Sequence, residues 1–324
     1  MGVVAITRRL PDSAAARLRA AGHQVRQHDD HVAPEHAEIL RLVHNCDGLI
    51  CLLSDRVDAE LLDAAGPRLR IVANYAVGLD NVDLAACRSR GVAVANTPGV
   101  LDEATADQAW ALLLAVARRV LEGHRLVASG AWTGWSPLQL LGTSLHGRRI
   151  GLVGLGRIGS ATARRARGFG MEVVYHARSR REREERELPA RWLPLDELLA
   201  SSDVVSLHCP LTHETRHLID ADALASMKSS AILVNTARGE VVDEAALVEA
   251  LSEGRLAGAG LDVFEREPRI HPRLPALANV VLAPHLGSAT VATRDAMAEL
   301  VATAVVEVLA DRRPDGLPLD PPKR

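Results

Sequence analysis

The stretch RIGLVGLGRIGS, residues 149–160, decides the fold of this chain. It begins as a strand and runs into three glycines, Gly154, Gly156 and Gly159, which have the G-x-G-x-x-G spacing. In such a turn the first glycine permits the bend, the second lets a pyrophosphate approach the backbone, and the third lets the next helix pack against the strand. An isolated hexapeptide of this kind can be a structural turn. Here a helical pattern and a second strand-like run at residues 171–175 follow, which favours a dinucleotide site.

The residues after that second strand indicate which dinucleotide binds. NAD-binding versions of the motif carry an Asp or Glu roughly 20 residues on, where it binds the ribose hydroxyls. This chain has Arg178, Ser179 and Arg180 at that place, and guanidinium groups bind phosphate through paired hydrogen bonds. The sequence therefore predicts NADPH (NADP+) as the cofactor, with NADH bound more weakly. An exposed mixed-charge helix is the alternative explanation, and we favour it for Arg183 and Arg186.

The composition excludes several classes of protein. The chain has 324 residues, enough for two domains, and its 48% hydrophobic and 24% charged content is that of an ordinary globular protein. A formal net charge of −3 gives no attraction to nucleic acid or to an anionic membrane. The four cysteines form no C-x-x-C pair, so we expect reduced thiols and no metal site. The first residues resemble a strand rather than a cationic leader, and no apolar run could cross a bilayer, which predicts a cytoplasmic protein.

Short apolar runs alternate with helical patterns along the chain, which predicts an α/β protein with two doubly wound parallel-sheet domains. Helical patterns at residues 101–126 and 290–309 suggest where the domains meet. We predict a substrate (catalytic) domain of residues 1–98 plus 290–324 and an NADP-binding Rossmann domain of residues 99–289. The strand candidates are residues 3–7, 24–27, 48–51, 71–73 and 92–95 in the first domain, and 150–153, 172–175, 204–208, 232–235, 258–261 and 280–282 in the second.

The loop Trp132–Leu141 contains two of the four tryptophans in a chain that is poor in aromatic residues. Aromatic side chains bury much area at a low cost in conformational entropy, so in a protruding loop they indicate an interface. The alternative is that Trp132 and Trp135 fold back on their own domain.

Three loops that follow strands of the second series carry groups suited to reduction of a carbonyl. Hydride transfer requires a cation near the carbonyl oxygen, an acid/base and a group that orients it. Arg238 follows one strand, Asp262 and Glu267 follow the next, and His285 follows the last. Each residue is ambiguous alone. Together they lie at the carboxyl ends of parallel strands, where open α/β sheets bind ligands.

With these residues the chain resembles the D-2-hydroxyacid dehydrogenase family over nearly its whole length. Within that family it looks most like the glyoxylate/hydroxypyruvate reductases, a likeness carried by the tryptophan loop, the strand end at residues 175–180 and the segment 285–290. The resemblance implies a Rossmann nucleotide domain, a flavodoxin-like substrate domain, an active-site cleft between them, and a homodimer formed through Trp132–Leu141. The matching stretches are residues 74–83, 154–159, 208–212, 235–239, 260–268 and 284–288.

The resemblance also implies roles for individual residues. His285 would be the general acid in reduction, Glu267 would orient it, and Arg238 would bind the keto oxygen and the substrate carboxylate. Leu53 and the amides of Val77 and Gly78 would contact the substrate. The implied cofactor contacts are Thr105, Gly154, Gly156, Arg157, Ile158, Gly159, Arg178, Ser179, Arg180, Cys209, Pro210, Thr215, Thr236, Ala237, Asp262, His285 and Gly287.

These implications lead to one predicted function and three alternatives that fit less well. The predicted function is NADPH-dependent reduction of glyoxylate and hydroxypyruvate to glycolate and D-glycerate. The first alternative is another NAD(P)-dependent D-2-hydroxyacid dehydrogenase, acting on 3-phosphoglycerate or a different 2-keto acid. A formate dehydrogenase fits less well, because formate enzymes that resemble this family carry Gln where Glu267 stands. The distant alternative is a nucleotide-sensing, dehydrogenase-like corepressor, which would show long extensions and an acid at the second strand's end.

Overall fold

Two parallel sheets, one in each of two units of the chain, make up the fold. The computed structural model describes residues 1–30, 32–314 and 318. The first unit consists of residues 1–101 and the segment from residue 289 onward, and the second is residues 102–288. The sequence analysis drew these boundaries at residues 98/99 and 289/290. The predicted fold class, two parallel-sheet α/β domains, is confirmed.

The first unit has a five-stranded sheet in the order β2-β1-β3-β4-β5, the flavodoxin-like order, in which every pairing is parallel. Its strands are β1 (Val3–Ile6), β2 (Gln24–Gln27), β3 (Gly48–Cys51), β4 (Ile71–Asn74) and β5 (Ala93–Ala95). Its helices are α1 (Asp12–Ala20), α2 (His36–Val43), α3 (Ala59–Ala65), α4 (Leu84–Ser89) and, at the far end of the chain, α12 (Val291–Leu309).

The helix α12 completes the core of the first unit. Its start is capped by Thr290, whose hydroxyl oxygen accepts a hydrogen bond from the amide of Thr293 at 3.2 Å. The helix lies so close to the sheet that a Cβ atom on Gly48 would come within 3.0 Å of Val305. Arg70, which precedes β4, donates to carbonyls of the last turn and so satisfies groups that the helix itself leaves unpaired.

The second unit has a seven-stranded parallel sheet in the order β12-β11-β10-β9-β6-β7-β8. The order reverses between β6 and β9, which is the switch point where doubly wound sheets bind ligands. Its strands are β6 (Arg149–Val153), β7 (Glu172–His176), β8 (Ala190–Trp192), β9 (Val204–Leu207), β10 (Ile232–Asn235), β11 (Gly258–Leu261) and β12 (Val280–Leu282). Its helices are α5 (Asp102–Ala117), α6 (Val120–Ala128), α7 (Arg157–Gly168), α8 (Glu182–Glu187), α9 (Leu195–Ser201), α10 (Ala221–Ser226) and α11 (Glu244–Ser252).

The single helix predicted over residues 101–126 is wrong, because the structure divides it into α5 and α6. Arg119 lies between them in the left-handed region, with φ of 52°. The carbonyl of Ala117 accepts a hydrogen bond from the amide of Thr143 at 2.8 Å, in place of an amide one helical turn further on. A loop distant in sequence therefore ends the first helix, and no local breaker residue announces that end.

The predicted strands agree with the structure to within one residue at either end, but the list lacked β8. This edge strand has only three residues and includes the charged Arg191, so it lacks the apolar run by which the others were recognised. Among the described strands it pairs only with β7.

The cysteines are free thiols, and three of them, Cys46, Cys51 and Cys87, are buried. Burial raises the pKa of the Cys46 thiol to about 12 and that of Cys87 to about 11, so both are protonated near neutral pH. Among the described residues no helix is long and apolar enough to span a membrane.

Candidate active site

The glycine turn between β6 and α7 has the geometry of a phosphate cradle. Gly154 has φ of +101°, and a Cβ atom there would come within 2.7 Å of the carbonyl oxygen of His208. A Cβ atom on Gly159 would collide with the carbonyl oxygen of Gly154. Gly156 differs, because a Cβ atom on it would meet nothing within 4 Å. Two glycines thus permit close packing, while the third leaves open space at the end of the helix.

That open space adjoins the N-terminus of α7, a helix of 12 residues. The first amides of the helix, which include those of Arg157 and Ile158, have no carbonyl partner within it and carry the positive end of the helix dipole. The Arg157 side chain points to Asp102, with Nε and Oδ2 2.9 Å apart. The turn and the helix end therefore fit the pyrophosphate of a dinucleotide.

Arg178 and Arg180, predicted to bind the 2′-phosphate, and Ser179 between them are exposed just after β7. No acid follows this strand directly in the sequence, but Glu185 on α8 lies next to the strand end in the structure. Glu185 accepts hydrogen bonds from Arg180, from Nη2 at 2.8 Å and from Nε at 3.2 Å. The hydroxyl of Tyr175 also donates to Glu185, at 2.6 Å. The strand end is therefore a paired arrangement of charges.

The loop after β9 carries three of the implied cofactor contacts, Cys209, Pro210 and Thr215. The hydroxyl of Thr215 donates to the carbonyl of Pro210 at 2.7 Å, so this side chain closes the loop that begins at Cys209. The preceding residue, His208, was not among the predicted site residues. Burial lowers the pKa of His208 to about 4, which makes it neutral at physiological pH, and its Nε2 lies 2.9 Å from the hydroxyl oxygen of Ser206.

The loop after β10 is organised by Asn235, which the sequence analysis did not single out. Its Oδ1 accepts from the amide of Ala237 at 3.0 Å, and its Nδ2 donates to the carbonyl of Arg238 at 2.8 Å. The Arg238 guanidinium donates to the carbonyl of Ala237 at 2.8 Å. The buried hydroxyl of Thr236 has no hydrogen-bond partner among the described residues. Because buried polar atoms are nearly always paired, this hydroxyl is suited to a bound ligand.

The loop after β12 is held by the buried carboxylate of Asp262. Its two oxygens accept from the amides of Leu286 and Gly287, each at 2.7 Å, and Gln108 donates to it at 3.3 Å. The backbone carbonyl of Asp262 accepts from the amide of His285 at 2.8 Å. Burial raises the pKa of Asp262, and the hydrogen bond from Leu286 opposes that shift. Asp262 thus fixes the backbone of His285, which has φ of 56°.

Thr105, from the first turns of α5, reaches the same place. A Cβ atom on Gly287 would lie 3.3 Å from the Cγ2 of Thr105 and 3.3 Å from Asp262. Thr105, Asp262 and Gly287, all among the implied cofactor contacts, are therefore neighbours. A side chain at position 287 would therefore require Thr105 or Asp262 to shift by a few tenths of an ångström.

His285 and Glu267 form the central pair of the site. Nδ1 of His285 lies 2.9 Å from Oε2 of Glu267, whose other oxygen accepts from the amide of Phe264 at 3.0 Å. Burial alone raises the pKa of Glu267, but the hydrogen bonds from His285 and Phe264 and the charges of His285 and Arg238 outweigh it and hold the pKa below its ordinary value. The carboxylate is therefore ionised, with one imidazole nitrogen bound to it. The second nitrogen, Nε2, makes no hydrogen bond to any described residue.

The substrate contacts expected in the first unit, Leu53, Val77 and Gly78, lie in loops after β3 and β4. Two side chains that the sequence analysis did not name fix the second loop. Asn96 donates to the carbonyl of Val77 and Asn74 to the carbonyl of Gly78, both at 2.8 Å. The amides of Val77 and Gly78 donate to none of the described residues, so they are suited to bind a carboxylate.

The loop Trp132–Leu141 exposes its apolar side chains. Trp135 is 82% exposed, Leu138 77% and Trp132 50%, so neither tryptophan is buried on its own unit. The alternative in which both fold back is therefore wrong. Clustered exposed apolar residues are typical of an interaction surface.

Comparison with known proteins identifies the family. The model of the D-isomer specific 2-hydroxyacid dehydrogenase NAD-binding domain matches residues 110–287. A glyoxylate reductase from Thermococcus onnurineus is 53% identical over 307 residues, which cover 94% of this chain and 91% of that protein. The resemblance that the sequence analysis described is thus confirmed.

Solved structures agree. The crystal structure of the TT0316 protein from Thermus thermophilus is 51% identical, with a TM-score of 0.92 over 98% of this chain and all of that one. An NADPH-dependent glyoxylate/hydroxypyruvate reductase from Sinorhizobium meliloti, solved with NADP and malonate, is 34% identical, with a TM-score of 0.87 over 99% of this chain and 98% of that one. By its sequence, its fold and these relatives, the chain belongs to the D-isomer specific 2-hydroxyacid dehydrogenases, a family of nicotinamide-dependent oxidoreductases.

Proposed function

We propose that the protein reduces glyoxylate and hydroxypyruvate to glycolate and D-glycerate with NADPH. The observation that carries the proposal is the His285–Glu267 pair, 2.9 Å apart, on the strand-end edge of a sheet that also holds a phosphate cradle. Relatives named glyoxylate reductase, about half identical over most of this chain, support the choice of substrate.

The chemistry divides between cofactor and protein. A bound reduced nicotinamide supplies hydride to the carbonyl carbon of the keto acid. His285 donates the proton on Nε2 to the carbonyl oxygen, so that the C=O bond becomes a secondary or primary alcohol and the imidazole becomes neutral. Glu267 stabilises the charged imidazole before the transfer and fixes which nitrogen carries the mobile proton. Arg238 stabilises the negative charge that develops on the oxygen.

Substrate binding is proposed on chemical grounds. Arg238 binds the keto oxygen and the carboxylate, because a guanidinium presents paired donors to a planar anion. The amides of Val77 and Gly78 donate to the same carboxylate, and Leu53 forms an apolar wall. Small keto acids offer little area for contact, so these polar groups would supply most of the orientation.

The residues proposed to hold the cofactor form three groups along the carboxyl edge of the second sheet. The pyrophosphate group is Gly154, Gly156, Arg157, Ile158 and Gly159. The adenosine-side group is Arg178, Ser179, Arg180, Cys209, Pro210 and Thr215, and the nicotinamide-side group is Thr105, Thr236, Ala237, Asp262, His285 and Gly287. The open space at Gly156 and the unpaired hydroxyl of Thr236 are the observations that support this assignment.

A preference for NADPH over NADH is supported by Arg178 and Arg180, which give the end of β7 a phosphate-binding character. The Sinorhizobium meliloti relative is described as NADPH-dependent and was solved with NADP. NADH is expected to bind more weakly rather than to be excluded, because both arginines are exposed and exposed charges are screened by salt.

We also propose that the protein is a homodimer through the loop Trp132–Leu141. Its exposed tryptophans and leucines are the kind of surface that a second copy would cover. Light scattering should find a dimer for the wild-type protein, and a Trp135→Ser, Leu138→Ser variant should shift toward monomer. A wild-type monomer at micromolar concentration would contradict the proposal.

The proposed reaction is tested by following the loss of NADPH absorbance with glyoxylate, hydroxypyruvate, pyruvate and 3-phosphohydroxypyruvate, and by repeating each assay with NADH. The highest kcat/KM is expected for glyoxylate or hydroxypyruvate with NADPH. A higher value for another keto acid would assign the protein to a different member of the family. No turnover with any keto acid would favour a protein that senses nucleotide without catalysis.

A further inference from the structure

Glu185 occupies an unusual position for a surface acid in an arginine-rich segment. Its side chain is only 16% exposed, whereas that of its partner Arg180 is 64% exposed. On the inner side it accepts from the hydroxyl of Tyr175, whose ring is fully buried in the strand β7. The same hydroxyl accepts from the amide of Arg181 at 2.7 Å. Glu185 is thus anchored to the rigid sheet, and Arg180 is attached to Glu185.

The way in which Glu185 holds Arg180 leaves one face of the guanidinium available. An arginine has five N–H donors, which form a side-on pair of Nε and Nη2 and an end-on pair of Nη1 and Nη2. Glu185 occupies the side-on pair, with contacts at 3.2 and 2.8 Å. Among the described residues nothing accepts from Nη1, so the end-on pair can bind a second anion in the two-point manner that guanidinium and phosphate favour.

We propose that Glu185 is a positioning residue for cofactor selectivity: it fixes the guanidinium of Arg180 so that its end-on pair binds the 2′-phosphate of NADPH. The inference rests on the proposed NADPH preference. Without this contact, the Arg180 side chain would lose the conformational entropy of several rotatable bonds when it binds phosphate. With it, that ordering is complete before the cofactor arrives.

The Glu185 carboxylate also has an opposing effect, because a negative charge beside Arg180 reduces the positive potential that attracts phosphate. A second acid, Glu182, makes it possible to measure the two effects separately. The charge of Glu182 also acts on Arg180, but Glu182 makes no hydrogen bond to it in the described part of the chain. Removing the charge of Glu182 therefore alters the potential alone, whereas removing that of Glu185 alters the potential and releases the side chain.

The experiment measures binding by titration calorimetry with two fragments, adenosine 2′,5′-bisphosphate and 5′-AMP, which differ only in the 2′-phosphate. Glu185→Gln keeps the shape of the side chain but cannot accept from both nitrogens. We expect it to weaken the bisphosphate about fivefold and to leave 5′-AMP within about twofold. Glu182→Gln is the matched control, and it should leave the bisphosphate unchanged or up to about twofold tighter.

A second variant tests the inference if Glu185→Gln fails to fold. Tyr175→Phe keeps the buried ring and removes only the hydroxyl that anchors Glu185. It should weaken binding of the bisphosphate about threefold and again leave binding of 5′-AMP nearly unchanged. Equal weakening of both fragments by Glu185→Gln, or tighter binding of the bisphosphate, would overturn the inference. A wild-type protein that binds both fragments equally would instead contradict the proposed NADPH preference itself, so the two failures are distinguishable.

Discussion

Two places at the carboxyl edge of the second sheet bear charged side chains, and they are built differently. At β10–β12 the charged groups are tied to the backbone: both oxygens of the buried Asp262 bind amides, and Glu267 binds the amide of Phe264 as well as the imidazole of His285. At the end of β7 the exposed Arg180, which precedes the short helix α8, is attached through Glu185. The first place is held by hydrogen bonds to the backbone, whereas the second depends on one pair of side chains, Arg180 and Glu185.

The contrast has an energetic meaning. A charge-assisted hydrogen bond among partly buried groups is worth about 1.5–3 kcal/mol, whereas an exposed ion pair contributes roughly 0–1 kcal/mol. Loss of one group at β10–β12 should therefore change the reaction rate by orders of magnitude. Loss of one group at the end of β7 should change only the choice between two cofactors, and by a modest factor. The predictions below test this ordering.

The largest effect is expected for His285→Ala, which removes the proposed proton donor. Turnover of glyoxylate should fall by at least about 10²-fold, while the affinity for NADPH changes little. Single-turnover kinetics and NADPH titration of the same preparation measure the two quantities. His213→Ala, at an exposed histidine of the same unit, is the control and should behave as wild type. A parallel loss of NADPH binding would contradict the role assigned to His285.

The second-largest effect is expected for Arg238→Ala. The KM for the keto acid should rise and turnover should fall by about 10²-fold, because Arg238 is proposed to bind the substrate and the developing oxyanion. Arg238→Lys keeps the charge but loses the planar pair of donors. It should recover part of the turnover and little of the KM. If lysine restored both quantities, Arg238 would act through its charge alone, and the two-point contact with substrate would be wrong.

Glu267→Gln should lower turnover less, by about tenfold to a hundredfold, and should change the pH profile. The amide keeps a hydrogen bond to the imidazole but no longer stabilises its positive charge, so the pH above which reduction declines should move downward. Initial rates from pH 5 to pH 9 measure this shift. An unchanged profile would mean that Glu267 holds the ring in place without favouring its charged form.

The same carboxylate gives an expectation for stability. The pKa of Glu267 in the folded protein lies below its ordinary value. The ionised group therefore stabilises the fold above the ordinary pKa, and this contribution is lost as pH falls through the lowered value. The melting temperature of the wild-type protein should thus decrease more steeply in acid than that of Glu267→Gln. Parallel curves would show that the His285 pair adds nothing to the stability of the fold.

The sequence was sufficient to locate the elements that depend on local rules. The turn at Gly154–Gly159 follows from spacing, because backbone packing there admits no side chain at two of its three glycines. The loops after β10, β11 and β12 follow from alternation, since parallel strands bring their carboxyl ends to one edge. The positions of Arg238, Glu267 and His285 after these strands were therefore predicted without coordinates, whereas their roles stay predictions.

The partners of these residues could not be predicted, because they come from distant parts of the chain. Gln108 and Asp262 are 154 residues apart in sequence, and nothing near either residue indicates the other. The end of α5 at Ala117 depends on the amide of Thr143 in a later loop. Glu185 was taken as part of a mixed-charge segment, since the turn that returns it to Arg180 has no sequence signature.

The smallest effects should come from Arg178→Ala and Arg180→Ala at the end of β7. Each should lower kcat/KM with NADPH by about threefold to tenfold, because an exposed arginine–phosphate contact is screened by salt, and should leave kcat/KM with NADH nearly unchanged. Arg183→Ala is the control, since Arg183 pairs with Glu187 along α8 and is expected to lie outside the site.

Raising the salt concentration should reduce the NADPH preference of the wild type and of the control alike, and should have less effect on the two variants. If either variant lost NADH activity as strongly as NADPH activity, the residue would support the fold of the strand end instead of reading the 2′-phosphate. The contrast between a catalytic edge tied to the backbone and a selectivity segment on exposed arginines would then have to be abandoned.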